Sequence, residues 1–487
     1  MSRRLNVLLI TLDQFRSDCL SCAGHPVVRT PHLDALAARS VRFARHYSQA
    51  TPCAPGRASL YTGMYQFNHR VVGNGTPLDD RFDNVARLAR RAGYDPTLFG
   101  YTDQSVDPRT TTAGDDPRLS TYEGVLPGFA VGLHLPTHHE PWRHWLTELG
   151  HDDPGDGVRA LATESDRPAE HGVSTYLTDR VIEWLEQRHD PWFAHVSYLR
   201  PHPPYAAAGH WAAHYDPETV GEPVLPADDR HPLHTLILGI PEATAPADPA
   251  ALRHLRAQYF GMVSDVDSQV GRLLDALERL GHGDDTVIVL TSDHGEQLGD
   301  HGLVQKVGWF EESHHVVGMV RHPHHGTAHG SVVHDFTENV DVLPTLAEVM
   351  AIDVPPQCDG RSLMPWLRGE PPPAWRDAAH WEFDWRSLVI PWLGAVPAGD
   401  EPTVSMHLAV TRTTEAAYVQ FGDGTWLGFD LAADPTWRTP LTDSGALLAL
   451  AQRQLLWRSR HTDRTLSDLV LESGGVGRWP PGVPWRL

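Results

Sequence analysis

The sequence predicts an α/β protein: a large mixed β-sheet sandwiched by helices, followed by a smaller C-terminal domain of antiparallel sheet plus helix. Three observations predict it. Short apolar runs such as Leu5-Asn-Val-Leu-Leu-Ile-Thr-Leu-Asp13 and Asp285-Thr-Val-Ile-Val-Leu-Thr-Ser-Asp293 read as strands covered on both faces. These runs alternate with stretches of helical spacing. After Gly369-Glu-Pro-Pro-Pro373, a proline-rich connector, the segments become shorter and β-like. The expected division is residues 1–370 and 371–487, and a chain of 487 residues exceeds what one core usually serves.

The elements follow in order. Residues 5–13 form a strand ending in a carboxylate. Residues 30–39 form a helix, with Thr30 as N-cap and Pro31 at the first helical position. A second helix over 84–91 stops at Gly93, and 97–101 is a short strand. The helix 175–187 precedes a strand over 192–199 that runs into Arg200-Pro-His202-Pro-Pro204. Asp248 caps a long helix over 249–280, and the strand 285–293 follows. Segments 106–170 and 205–248, rich in Pro, Gly, Asp and His, read as long surface loops or lids. Past residue 373 come strands over 379–384, 406–411, 417–421 and 425–429, then a helix over 444–458. In open α/β sheets the ligand crevice lies at the carboxyl ends of strands, where Asp13, Tyr101, His202 and Asp293 fall.

Net charge is 40 − 62 = −22, which opposes binding to nucleic acid or an anionic membrane. An anionic ligand is therefore captured by a local pocket. Four cysteines (Cys19, Cys22, Cys53, Cys358) are too few for a disulfide scaffold. The apolar run 7–12 is too short for a signal segment and nothing reaches membrane-spanning length, so a cytoplasmic protein is expected. All basic residues but one are arginine; the exception is Lys306. A compact, flexible ammonium is what arginine cannot imitate.

Thr51-Pro-Cys53-Ala-Pro55-Gly-Arg57-Ala-Ser-Leu-Tyr-Thr62-Gly63 carries Cys-x-Pro-x-Arg followed by Thr-Gly. This segment resembles the sulfatases, in which a formylglycine-generating enzyme oxidises the cysteine. The resemblance implies a formylglycine at Cys53 and that enzyme as a maturation partner. A hydrated aldehyde has two hydroxyls on one carbon: one attacks sulfur or phosphorus, and the other loses a proton to release the product by C–O cleavage. A thiol has no such exit. Arg57, one helical turn on, is placed to hold the nucleophile or the transferring group.

Asp13-Gln14 and Ser292-Asp293-His294-Gly295-Glu296 resemble the metal loops of the alkaline phosphatase superfamily, to which sulfatases belong. The resemblance implies one divalent metal held by Asp13, Cys53, Asp293 and His294, with Gln14 toward the substrate or behind the ligands. Many calcium sulfatases have an amide where His294 stands; a nitrogen ligand favours Mn, Fe or Zn over Ca. The likeness runs over about residues 4–370, the catalytic domain, and is nearest to phosphonate monoester hydrolases. It rests there on Asn74, on Tyr101 in place of a sulfatase lysine, on His202 in its proline loop, and on the position of Lys306. It implies catalytic roles for Cys53, Arg57, His202 and Lys306, and substrate binding by Asn74, Tyr101 and Gln14. His202 would protonate the leaving alkoxide and Lys306 would grip a non-bridging oxygen. Asp103 departs from the family pattern, which has a small hydroxyl residue there.

The expected activity is hydrolysis of phosphonate monoesters and phosphate diesters, small anionic substrates, with promiscuity toward sulfate esters. The alternatives are an arylsulfatase and, from another class, a catalytically inactive oxyanion-binding protein. Among the 31 histidines, His138-His139, His314-His315 and the run 322–325 read as polar surface loops. Cys19-x-x-Cys22 has no second pair and carries no metal or redox reading. The apolar run Trp479-Pro-Pro-Gly-Val-Pro-Trp485 is the ground for expecting a homo-oligomer built through 474–487.

Overall fold

The computed structural model describes residues 4–112, 114–393, 403–462, 470–471 and 477–478. The run 479–485 on which the oligomer expectation rests lies outside them. The large sheet is built from β1 (Asn6–Leu12), β2 (Val41–Tyr47), β4 (Thr97–Gly100), β5 (Ala130–His134), β6 (Phe193–Tyr198), β7 (Thr286–Thr291), β8 (His315–Val316), β9 (Gly318–Arg321) and β10 (Val332–Glu338). Its order is β10-β2-β9-β7-β1-β6-β4-β5, with β8 added on β2. The sheet is mixed: β1 is parallel to β6 and β7, whereas β9 is antiparallel to both β7 and β2.

Both faces of β1 are covered, which is why it reads as an unbroken apolar run. Leu8, Ile10 and Leu12 pack into one core with the helices Val173–Leu185 and Pro249–Arg279. Val7 and Leu9 pack into the other with the helices Cys53–Thr62, Val85–Arg91 and Val342–Val349. The long helix starts as expected, with Asp248 accepting from the amides of Ala250 and Ala251. Asn84 does the same for the Val85–Arg91 helix. Thr30 precedes its helix but its hydroxyl instead bonds Ser21 and Asp34.

The small sheet has the order β14-β13-β12-β11-β3, from β3 (Ala50–Thr51), β11 (Ala378–Asp384), β12 (His407–Thr413), β13 (Ala416–Phe421) and β14 (Trp426–Asp430). Its last member, β3, comes from the N-terminal part of the chain and pairs parallel with β11 at Glu382 and Phe383. The segment from β2 to β3 therefore joins the two sheets just before Cys53. The helix Ser444–His461 packs on the small sheet, with Gln454 donating to the Ala409 carbonyl.

Two loop expectations are corrected. The segment 106–170 contains the edge strand β5 and the helices Glu140–Glu148 and Gly157–Ala162, and 205–248 contains the helix Pro232–Ile237. Their Pro and Gly content sits at caps and turns between short elements and hid them. His139, His314 and His322 are buried rather than on surface loops. His314 stacks on Trp381 between the two sheets, where an aromatic ring serves as core.

Candidate active site

The carboxyl ends of β1, β4, β6 and β7 meet the N-terminus of the Cys53–Thr62 helix. Asp13 follows β1, Tyr101 follows β4, Arg200 and His202 lie past β6, and Asp293 lies past β7. Gly56 lets the helix in. A Cβ there would stand 2.5 Å from the Asp293 carbonyl and 2.9 Å from that of Ala50, both backbone atoms.

Four of the sequence-predicted residues come together as a buried donor set. One ligand atom each from Asp13, Cys53, Asp293 and His294 lies within 4.8 Å of the others. The His294 Nδ1 faces the Gly295 carbonyl at 3.1 Å, so its proton sits there and the Nε2 lone pair faces Cys53 Sγ at 3.2 Å. Asp13 Oδ1 is buried without a hydrogen-bond partner. An orphaned carboxylate oxygen beside a ligand-form histidine fits a divalent cation.

Arg57 is fully buried. Its Nε donates to Asp293 Oδ2 at 2.9 Å, its Nη2 to Asp13 Oδ2 at 3.0 Å, and its Nη1 to Ser197 Oγ at 2.8 Å and the Tyr101 carbonyl at 3.2 Å. The residue expected to grip the transferring group thus braces the two carboxylates. Tyr101, expected to reach the substrate, donates its hydroxyl to Asp13 Oδ2 at 2.5 Å. Asn74 is exposed and accepts from the Ala54 amide at 3.0 Å, satisfying one free donor at the start of the Cys53–Thr62 helix.

Lys306 and His202 meet directly. The His202 Nδ1 proton goes to the Pro203 carbonyl at 2.7 Å, so Nε2 accepts from Lys306 Nζ at 2.7 Å. Lys306 also donates to Gln14 Oε1 at 2.8 Å, while the Gln14 backbone amide donates to Asp293 Oδ1 at 3.2 Å. Gln14 thus sits behind the ligands and links them to the lysine. Its Nε2 donates to Glu296, a buried carboxylate that also accepts from Tyr205 Oη at 2.9 Å and the Leu298 amide at 2.8 Å. Glu296, Tyr205 and Ser197 carry no assigned role in the sequence reading. The acid at the end of Ser292-Asp293-His294-Gly295-Glu296 was the available signal for the first. Arg200, fully buried, pairs with Glu164 and donates to the carbonyls of His202 at 2.7 Å and Pro204 at 2.9 Å, which holds the histidine loop.

Charge follows geometry. Burial pushes Asp13 up, but His202, His294, Arg57 and Lys306 outweigh it and hold its carboxyl well below the usual range. Burial and the neighbouring Asp13 raise Asp293. Burial, with Lys306 alongside, lowers His202 and His294 to about 3, so both are neutral near pH 7. Burial lowers Lys306, yet Cys53 and the carboxylates Asp13, Asp293 and Glu296 raise it further, so it stays charged. Burial raises Asp103 to about 7, against the pull of Arg57 and with the help of Asp13 and Glu123.

The sequence matches the sulfatase family over residues 5–352. It is 35% identical to the multifunctional alkaline phosphatase superfamily protein PehA of Trinickia caryophylli, across 95% of this chain and 97% of that one. It is 32% identical to the choline-sulfatase of Rhizobium meliloti, across 75% and 72%. The crystal structure of the phosphonate monoester hydrolase of Agrobacterium radiobacter superposes with a TM-score of 0.90 at 39% identity, covering 98% of this chain and 100% of that one. The phosphonate monoester hydrolase of Silicibacter pomeroyi gives 0.85 at 33%, covering 98% and 99%. With this fold, this buried donor set and these matches, the chain belongs to the sulfatase family and is a hydrolase of its metal-dependent type.

Proposed function

We propose that this chain hydrolyses phosphonate monoesters and phosphate diesters, with sulfate esters as further substrates, through Cys53 oxidised to formylglycine and one divalent metal. The observation that carries the reading is the Lys306–His202 pair beside the buried Asp13, Cys53, Asp293 and His294 set. The likeness to two phosphonate monoester hydrolases along almost the whole chain supports it.

Asp13, Asp293, His294 and the modified Cys53 would hold the metal, which when bound supplies positive charge for the anionic ester. The imidazole nitrogen favours Mn, Fe or Zn over Ca. The formylglycine hydrate supplies a nucleophilic hydroxyl and a second one through which the product is released. Arg57 and Tyr101 keep Asp13 ionised and oriented. Lys306 Nζ presents an ammonium for a non-bridging oxygen of the ester. In this pair the ammonium, not His202, carries the proton that a departing alkoxide would need. As the pair stands, His202 is neutral and accepts; the proton expected on it resides on Lys306.

Matched nitrophenyl phosphonate and sulfate esters test the reading, alongside mass spectrometry of the Cys53 peptide and metal analysis. Higher kcat/KM on the phosphonate, a Cys53 peptide at the formylglycine mass and about one metal per chain are expected. A strong preference for sulfate makes the chain an arylsulfatase, which the choline-sulfatase and Clostridium perfringens arylsulfatase relatives favour. Full activity with unmodified Cys53 removes the formylglycine.

A further inference from the structure

Asp103 is a buried acid beside a site that must receive an anion. Its side chain is 7% exposed, and Oδ2 stands 3.8 Å from Arg57 Nε. Among the described residues it accepts no hydrogen bond, and Arg57 is already engaged by Asp13 and Asp293. Its backbone is held at φ 50°, an uncommon conformation that asparagine and aspartate tolerate best. The surroundings enforce this conformation. The Thr102 hydroxyl donates to the Gly124 carbonyl at 2.8 Å and accepts from the Leu126 amide at 2.9 Å, and the Gln104 amide donates to the Gly124 carbonyl at 3.3 Å. Residues 102–104 and 124–126 are thus bonded together on both sides of Asp103.

That bonding brings Tyr122 and Glu123 to the same place. Glu123 is fixed by the Thr137 amide, 2.9 Å from each oxygen. Tyr122 is 39% exposed and lies over the 73–75 turn, its Cβ 3.9 Å from where a Gly75 Cβ would be. Asn74 in this turn caps the nucleophile helix at Ala54. Asp103 thus stands beside Arg57, one helical turn from Cys53, and Tyr122 beside the turn that caps the same helix. The Gln104 Oε1 is a further buried acceptor without a partner. This side of the nucleophile thus offers acceptors and an aromatic face, and no unpaired cation among the residues named. An anion finds no donor here, whereas an ammonium is accommodated by an acid that it would itself ionise and by an aromatic ring.

We propose that Asp103 and Tyr122, with Glu123 behind them, form a subsite for a cationic arm of the ester, so that the preferred substrates carry an ammonium beside the tetrahedral anion. The inference rests on the ester-hydrolase reading above and deepens it to a substrate class. In the free site Asp103 has one imperfect partner; a substrate ammonium supplies the second.

The test compares isosteric pairs: 2-ammonioethyl and propyl esters of one phosphonate, and 2-ammonioethylphosphonate and propylphosphonate with one alcohol. Asp103→Asn removes the charge at constant shape. It is expected to lower kcat/KM about tenfold, through KM, for a cationic member and less than about twofold for its neutral partner. Tyr122→Leu, at a partly exposed position that folding tolerates, is expected to act in the same direction by about threefold. Selective loss with the cation on either arm supports the subsite. Equal losses on charged and neutral members, or none, overturn it and leave Asp103 a structural neighbour of Arg57. If the wild type cleaves no phosphonate, the activity reading fails separately. The same ratio is then read with the sulfate esters of 2-ammonioethanol and propanol.

Discussion

Gln14 shows how one buried charge fixes a chain of neighbours. A carboxylate accepts and never donates, so Glu296 obliges Gln14 to present its NH2 group and to turn Oε1 toward Lys306. Replacing Glu296 by Gln puts a donor and an acceptor at the same place and removes that bias. We expect Glu296→Gln to lower kcat about 10–100-fold with little change in KM and in bound metal, as for other partners behind a metal site. A loss of Tm alone, with kcat intact, would make Glu296 purely structural. Lys306→Ala should reduce kcat about 100–1000-fold, the usual cost of one stabilising donor. Lys306→Arg should not restore it, since the planar fork cannot replace an ammonium 2.7 Å from His202 and 2.8 Å from Gln14. Steady-state kinetics on folded, metal-loaded variants decides both.

At the scale of elements, the start of the Cys53–Thr62 helix is set by close approach rather than by helix propensity. Pro52 at its N-cap position forms no side-chain cap; Asn74 and Gln104 hold the Ala54 amide and carbonyl from outside. The helix rests against the backbone of Asp293 at Gly56. Gly56→Ala must displace either the helix or the metal loop, because a carbonyl cannot rotate away as a side chain can. We expect a Tm several degrees lower and metal content well below one per chain, from thermal unfolding and metal analysis. An unchanged metal content would show that the two elements can separate without harm. Asn84→Ala removes the cap and the bond from Nδ2 to the Pro127 carbonyl, neither of which touches the candidate ligands, and should cost about 1–2 kcal/mol and leave metal content intact.

At the scale of the whole molecule, the C-terminal sheet reaches the segment that leads into Cys53. β3 pairs with β11, the Glu382 amide donates to the Gln49 carbonyl at 2.9 Å, and Tyr47 stacks on Trp381 with centroids 5.6 Å apart. A chain ending at residue 370 would leave β3 unpaired and expose Tyr47, Trp309 and Phe336, which now share a core with Trp381 and Phe383. Such a chain is expected to be insoluble or inactive; a soluble, active fragment would show that the small sheet is dispensable. Titration gives a second global expectation. Burial lowers His69, His195 and His314 to about 3, and His46 and His139 to about 4. Between pH 6.5 and about 4 the unfolded chain binds protons at these five that the folded chain does not, so stability falls on acidification. Burial raises Asp103, Asp265 and Glu338 to about 7, which acts the opposite way over the same range. The histidines outnumber them, so Tm in the presence of a chelator should drop steadily from pH 6.5 to 5. A flat or rising Tm would refute this balance.

The sequence by itself determined the strands that carry Asp13, Tyr101, His202 and Asp293, because a strand covered on both faces must be a continuous apolar run. It also singled out the Cys53 segment and the candidate ligands, because the chemistry proposed for them fixes residue types at short spacing. The edge strand β5 and the strands β2, β9 and β10 were not legible: β5 and β9 are short, and polar residues such as Arg42, His46, His334 and Asp335 interrupt the apolar pattern of β2 and β10. Only the tertiary structure decided where the side chains of the site turn. Arg57 and Tyr101 serve Asp13, Asn74 serves the helix start, and Lys306 shares its proton with His202. The reason is physical: these roles depend on distances between atoms from strands far apart in the chain. Such distances are set by how two sheets and their helices pack, and no local pattern encodes them.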